Sequence, residues 1–184
     1  GLLNYGGGEL RDAPSNGRVK LPDDLFAKPD VQTEWWYYTG HCKSEQGREF
    51  GFELVFFKRR TDLDRIGVVP MTVLANPMYF AHFAISDLSD KKFRYEHKRS
   101  FNMPLDVPVS MSETTGGFVF DAVLDEGKQL VLNGEGGSGI SRKKNGASNH
   151  FSFTRMPVSG QISRETGVEK FSGTAWMDRE FGIW

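Results

Sequence analysis

The chain has 184 residues, which is enough for one compact domain with a substantial core. Its 23 Lys and Arg nearly balance 24 Asp and Glu, which argues against nucleic acid as a partner, because phosphate binders normally carry a basic excess. No apolar run reaches about 18 residues, so no membrane-spanning helix is expected, and a single cysteine, Cys42, excludes an intrachain disulfide.

Residues 1–30 are predicted to form an irregular N-terminal arm, because they are rich in Gly, Pro, Asn and Asp and lack a sustained hydrophobic period. The arm would lie either across a barrel mouth or along the surface. The sequence starts at Gly1 with no signal-peptide region in view. A soluble, an exported and a membrane-associated protein therefore all stay open at this stage.

Residues 31–184 are predicted to form one all-β domain, a barrel or a sandwich, because strand-like runs alternate with turn signals. The first two runs are joined by the polar segment SEQG, which predicts a hairpin. The strand-like runs lie at 33–43, 48–60, 78–89, 91–101, 109–124, 129–136, 149–163 and 168–182. No helix is predicted. A long loop is expected at 61–77, and the basic clusters 58–60, 91–94 and 142–144 are expected in solvated turns.

The stretch TEWWYYTGHC predicts a strand that is covered on both sides. Because alternate side chains point to opposite faces, Glu34, Trp36 and Tyr38 share one face, and Trp35 and Tyr37 share the other. The next run is also two-sided, with Phe50, Phe52, Leu54 and Phe56 opposite Gly51, Glu53, Val55 and Phe57. One face should line a core or cavity and the other a second layer. The pattern does not decide which face is which.

A Trp-acid-acid stripe stands on one face of the last run, TAWMDREFG. It consists of Trp176, Asp178 and Glu180. If this face lines an apolar cavity, desolvation and mutual repulsion should raise the pKa of at least one carboxyl. The alternative is a solvent-facing pair, or an acid bridged to an arginine such as Arg155 or Arg179.

Three further residues are candidates for a site. His82 shares its face with the small residues Ala84 and Ser86, which leave room for a pocket, although a core or rim histidine fits the same pattern. Glu34 and Glu53 stand within aromatic runs and could instead be buried partners of an arginine or of backbone. The four histidines lack the spacing of metal ligands, so no metal site is expected.

Five motifs carry a family resemblance: EWWYYTGH, FGFELVFFKRR, YFAHFAISD, NHFSFTRMPVSG and GTAWMDREFG. In this order they resemble the lipocalin-like hydroxyneurosporene synthase (carotenoid 1,2-hydratase) and AttH-type family. The resemblance implies a lipocalin-like antiparallel β-barrel for residues 31–184. It also implies a second barrel domain, which is expected to be absent from this chain. The matching motif positions are Glu34, Trp35, Trp36, Glu53, His82, Asp87, Trp176, Asp178 and Glu180.

The resemblance implies a hydratase or a cyclase that acts on a carotenoid, isoprenoid or other polyene. Protonation of an alkene needs a carboxylic acid in a dry aromatic cavity and no metal or organic cofactor. The hypothesis assigns Asp178 as proton donor, Glu180 as its coupled partner and His82 as the group that orients water or returns the proton. The ligand-binding candidates are Glu34, Trp36, Tyr38, Glu53 and Trp176.

Two alternatives stay open. The same barrel could bind a lipid or isoprenoid without any chemical change, and it could contact a membrane peripherally. A hydrolase is ranked last, because no nucleophile–base pair is visible in the sequence and no GxSxG elbow occurs. The sequence leaves the oligomeric state undecided.

Overall fold

The structure is a computed structural model that describes residues 19–60, 65–66, 68–70, 77–101, 119–143 and 146–182. Eleven strands occur in this part of the chain: β1 (Thr33–Ser44), β2 (Glu49–Arg59), β3 (Arg65–Ile66), β4 (Val69–Pro70), β5 (Met78–Asp87), β6 (Lys92–Phe101), β7 (Val119–Leu124), β8 (Val131–Leu132), β9 (Ile140–Lys143), β10 (Gly146–Arg164) and β11 (Gly167–Gly182). Two short 3₁₀ turns lie at Asp23–Leu25 and Glu135–Gly137. These described segments contain no helix with the length and apolar character that a membrane crossing requires.

Nine of the described strands form one antiparallel sheet. Its order is β6-β5-β2-β1-β11-β10-β7, and β8 and β9 also pair with β10. The sheet curls strongly, and contacts between distant strands show this. Phe120 on β7 packs against Phe52 on β2 and Phe83 on β5, with ring centroids 5.3 and 5.6 Å apart. Strands from the two sides of the order therefore meet around one core. The predicted all-β, lipocalin-like antiparallel fold is confirmed.

The predicted strands agree with the structure except at 129–136, where only Val131–Leu132 form a strand. The first hairpin and the strands from 78 to 101 and from 146 to 182 are present, with ends displaced by at most a few residues. A solvated turn was expected at 142–144, but residues 142 and 143 belong to β9, which pairs with β10. The expected loop contains the small β3–β4 pair. The prediction for 109–118 lies outside the described residues.

The inner face of the curled sheet is a packed core. It consists mainly of Cys42, Phe50, Phe52, Leu54, Phe83, Ile85, Phe120, Ala122, Val158, Ile162, Phe171 and Ala175. Phe120 and Phe171 stack with ring centroids 4.9 Å apart. Each fully buried phenylalanine contributes about 1.5–3 kcal/mol. The alternation of side chains in β2 places its four inner residues here and leaves the other four on the outer face.

A β-bulge changes the phase of β10. Phe153 pairs with Met177 and Met156 pairs with Ala175, so β10 contains one more residue than β11 between these pairs. Arg155, in the bulge, has a φ of 53°. Before the bulge the odd-numbered residues of β10 face inward, and after it the even-numbered residues do.

Charged residues close one end of the core under the arm. Glu34, Arg179 and Lys58 are almost completely buried, and Glu34 accepts hydrogen bonds from both basic side chains. Lys58 was expected in a solvated turn, and that prediction is wrong. Its side chain points inward because it lies directly opposite Glu34 in the β1–β2 pairing.

At the opposite end, three hairpin turns are joined by ion pairs around Asp87. Its carboxylate is bound by Arg48 at 2.6 Å and by Arg164 at 3.1 Å. Burial raises the pKa of Asp87, but hydrogen bonds from the Asp90 backbone and from Arg48 together lower it by more than burial raises it. The pKa of Asp87 therefore lies below its usual value. Both arginines also lie over the Phe50 ring. These contacts hold the turns in fixed positions.

Candidate functional site

The outer face of the sheet holds a transverse row of aromatic rings. Trp35, Phe57 and Phe80 are directly opposite one another on β1, β2 and β5. Their ring centroids are 6.1 and 6.2 Å apart. Arg99 on β6 lies over the Phe80 ring at 5.8 Å. The row exists because these three residues are in register on adjacent strands, so their side chains point to the same face of the sheet.

A groove of about 820 Å³ runs beside this row. One wall is the aromatic row, and the other includes Phe93 and Tyr95, which stack on each other with ring centroids 6.1 Å apart. Val55 and Ala84 form part of its floor. Small floor residues between large walls produce an elongated, mostly apolar groove, which is the usual character of a small-molecule site.

Titratable groups stand inside this apolar groove. Glu53 accepts a hydrogen bond from the Tyr37 hydroxyl at 3.1 Å. His82 is a diagonal neighbour of Glu53 across β2 and β5, a relation that separates Cβ atoms by about 7–8 Å. His97 faces His82 with ring centroids 6.4 Å apart. Among the described residues, no group of three or more His, Cys, Asp and Glu side chains is arranged to hold a metal ion.

A second polar cluster lies on β10 and β11, beyond strand β1, whose Trp35 lines the groove. Asp178 accepts a hydrogen bond from Ser152, and the His150 Nε2 atom lies 3.5 Å from the same carboxylate oxygen. Asn133 donates to Ser152 at 2.6 Å. Two residues after Asp178, on the same face of β11, the buried carboxylate of Glu180 accepts a hydrogen bond from Ser148. Asp178 is therefore the acceptor at the centre of the cluster.

The electrostatics of Asp178 are the reverse of those expected in an apolar cavity. Burial raises the pKa of its carboxyl, but hydrogen bonds from His150, Ser152 and Trp176 outweigh burial and hold the pKa below its usual value. Asp178 is therefore ionised at neutral pH. The neighbouring Tyr37 has a raised pKa, first because of burial and then because its hydroxyl binds Glu53.

The predicted catalytic residues share the outer face but do not form one contact group. Asp178, Tyr37, Val55 and His82 occupy successive strands in a single transverse row. Three strand spacings separate Asp178 from His82, which is about 14 Å. Trp176 and Glu180 flank Asp178 on β11, and Glu53 lines the groove near His82.

The remaining predicted ligand residues lie on the inner face. Trp36 and Tyr38 point toward the core, and Trp36 packs against the Arg179 guanidinium at 4.0 Å. Glu34 is paired with Arg179 and Lys58, which matches the interpretation of this acid as a buried partner of an arginine. Trp36 and Trp176 are therefore on opposite faces and do not meet around one ligand.

Sequence reasoning missed His150, His97, Tyr37 and the exposed pair Phe93 and Tyr95. The signals were present in the strand parity. Tyr37 was assigned to the same face as Trp35, and Phe93, Tyr95 and His97 alternate with charged residues. His150 could not be placed, because its position opposite β11 depends on the bulge.

A shallower depression of about 560 Å³ lies on the hairpin side of the same face. Lys43, Lys170 and Asp121 border it together with several serines. It mixes both charge signs and contains no histidine. The larger groove, with its aromatic walls and paired titratable groups, is therefore the stronger candidate site.

The fold and the groove together define a lipocalin-like antiparallel β protein with a candidate small-molecule site on the outer face of its sheet. The family model described as AttH-like matches residues 12–115 and 102–183, and the chain belongs to this family.

Two solved structures are similar to the chain. A Nitrosomonas europaea protein provisionally named AttH superposes with a TM-score of 0.76 at 24% identity, over 95% of this chain and 59% of that protein. Kievitone hydratase from Nectria haematococca superposes with a TM-score of 0.67 at 12% identity, over 95% of this chain and 55% of the enzyme. The chain thus spans little more than half the length of either protein. None of the curated proteins matches it.

Proposed function

We propose that the outer-face groove binds an elongated apolar molecule of the polyene or isoprenoid class, and that the protein is a cofactor-independent lyase of the hydratase type. The observation that carries this proposal is the groove itself. It combines aromatic walls with a carboxyl group, Glu53, and an imidazole, His82. Aromatic walls favour an apolar substrate, and the two titratable groups can move protons.

The proposed reaction adds one water molecule across a carbon–carbon double bond. The Glu53 carboxyl donates a proton to one alkene carbon, and the π electrons form the new C–H bond. The resulting tertiary cation lies against the faces of Phe57 and Phe80, which stabilise positive charge. A water oxygen then bonds to the cation, and His82 accepts the proton that this water releases. Return of this proton from His82 to the Glu53 carboxylate restores both groups for the next turnover. A cyclase would use the same protonation and capture the cation with a second double bond.

Asp178 has a supporting role in this proposal. Its lowered pKa makes it a poor proton donor at neutral pH, whereas an ionised carboxylate can orient His150 and Ser152 on the neighbouring strand β10. Glu180 and Trp176 lie on either side of it on the same face of β11. The AttH-like family and the hydratase among the similar structures support water addition as the class of reaction.

The test uses an acyclic carotenoid in detergent micelles and water enriched in oxygen-18. Conversion is expected to introduce one labelled hydroxyl group, which mass spectrometry detects. Glu53→Gln and His82→Gln should each lower turnover by at least about a hundredfold, which is the usual contribution of a general acid or base. Glu49→Gln is the matched control, because Glu49 lies on the same strand and face but outside the groove. Equal turnover by Glu53→Gln and the control would refute the assignment.

A non-catalytic binder is the second candidate, and the ionised state of Asp178 favours it. In that case the carotenoid would quench the fluorescence of Trp35 in a saturable way, but no label would enter the ligand. Ala84→Leu fills the floor of the groove and should abolish quenching under either candidate. Saturable quenching without any product would replace the lyase with the binder.

A further inference from the structure

Strand β6 combines exposed aromatic rings with a concentration of positive charge. Phe93 and Tyr95 are each 65% exposed and stack on each other at the rim of the groove. Residues 91–101 contain five Lys and Arg but only one acidic residue, whereas the whole chain has a net charge of −1. Residues 91–101 therefore carry an excess of four positive charges, and these lie on both sides of the strand because Lys92, Arg94 and Lys98 alternate with the aromatic pair.

The position of β6 makes this surface accessible within the described structure. Among the described strands, β6 pairs only with β5 and is an edge of the sheet. Lys91 and Lys92 are exposed at the turn that precedes it, where Lys91 has a φ of 53°. Edge strands often carry lysines that prevent pairing with other chains. That role alone requires no exposed aromatic pair.

We propose that β6 docks the protein on the surface of an anionic lipid bilayer, with the Phe93–Tyr95 pair in the interfacial region and the basic residues against the lipid headgroups. Aromatic rings favour the boundary between headgroups and acyl chains, and each lysine or arginine near an anionic surface adds attraction. The same two rings form a wall of the groove. Docking would therefore bring the groove to the membrane in which a polyene or isoprenoid dissolves.

Nucleic acid is the less favoured partner for this surface. The groove next to β6 contains the carboxyl group of Glu53, which would repel a phosphate backbone. The overall charge balance of the chain also lacks the excess that a phosphate binder needs. A bilayer, in contrast, combines negative charge with an apolar layer and is complementary to both features of β6.

The test measures co-sedimentation with phosphatidylcholine vesicles that contain either no phosphatidylglycerol or a substantial fraction of it. Binding is expected only to the anionic vesicles and should weaken as salt increases. The double variant Lys91→Glu/Lys92→Glu should weaken binding at least about tenfold, because each basic residue removed weakens attraction several-fold. Phe93→Ser/Tyr95→Ser should also weaken binding.

Two control variants separate this surface from general effects. Lys128→Glu makes the same kind of charge change at an exposed site away from β6, and Phe26→Ser removes a ring that is 66% exposed on the arm. Both should bind vesicles normally. Equal loss in the controls and the β6 variants would overturn the proposal, as would binding to neutral vesicles or displacement of anionic vesicles by a single-stranded oligonucleotide.

Docking rests on the proposed function and extends it, because the membrane would be the source of the substrate. Vesicle binding and ligand binding in the groove are measured by separate experiments. Ala84→Leu should abolish ligand quenching in the groove and leave vesicle binding unchanged. If wild-type protein binds vesicles but never quenches with a carotenoid, the groove proposal fails while docking stands. If quenching is saturable but no anionic vesicle is bound, docking fails and the groove proposal stands.

Discussion

Replacement of Glu34 by glutamine should destabilise the protein more than any surface charge change. Glu34 and Arg179 are both 0% exposed, and Lys58 is 2% exposed. The carboxylate lies between the two basic side chains, with Lys58 Nζ at 2.5 Å from one oxygen and Arg179 bound to the other. Glu34→Gln removes the one carboxylate that contacts both buried positive charges.

Loss of one partner in a buried ion pair costs about 3–5 kcal/mol. The glutamine oxygen can still accept one hydrogen bond, so we expect a value near the lower end. With a urea dependence of about 1–3 kcal/mol per molar, the unfolding midpoint should fall by at least about 1 M. The assay is urea unfolding followed by circular dichroism at constant pH.

The control is Glu135→Gln, which removes a mostly exposed partner of Arg142 at 3.4 Å. An exposed pair contributes at most about 1 kcal/mol. Adding Lys58→Met to Glu34→Gln removes one uncompensated charge, so the double variant should be more stable than Glu34→Gln alone. The reasoning is refuted if Glu34→Gln destabilises no more than the surface control.

Three further predictions concern pH, thiol reactivity and packing. Because the pKa of Asp87 is lowered in the folded protein, its carboxylate takes up a proton below about pH 4 more readily in the unfolded chain than in the folded protein. The free energy of unfolding should therefore fall as the pH falls below this value. Asp87→Asn should flatten this loss, as measured by urea unfolding at several pH values. Burial raises the pKa of the Cys42 thiol to about 12, so a thiol-specific reagent at mildly alkaline pH should label it only after unfolding; rapid labelling of the native protein would contradict this. A Cβ atom at Gly160 would lie 1.9 Å from the Asp121 carbonyl oxygen. Gly160→Ala should therefore lower the free energy of unfolding by about 1–3 kcal/mol. Gly51→Ala is the control and should have a much smaller effect, because the nearest atom to its Cβ would be 3.9 Å away.

The two-faced strands could be predicted from the sequence, because side-chain alternation is a local property. Glu53, Val55 and Phe57 were separated correctly from the inner residues of β2. Which face encloses the core could not be predicted, because both faces carry large apolar side chains. The burial of Lys58 was missed for a related reason: it depends on Glu34 lying opposite on another strand.

The environment of Asp178 depends on register, which the sequence does not display. Counting back from the tight Arg164–Gly167 turn without a bulge would place Phe153 opposite Asp178. The extra residue in β10 shifts this pairing by one position and brings Ser152 there instead. A shift of one residue exchanges the two faces of a strand. The polar cluster is therefore a product of the bulge.

Three backbone carbonyl groups hold the described end of the arm, beside the packing of Leu25 against the Phe151–Phe181 cluster. Arg179 donates to the carbonyl oxygens of Asp24 and Phe26 at 3.1 and 3.0 Å, and Trp36 donates to that of Leu25 at 2.8 Å. Every residue type offers the same carbonyl group. Phe26, whose ring is exposed, should therefore tolerate substitution while Arg179 and Trp36 resist change, so sequence variability at Phe26 would be a poor guide to its structural importance.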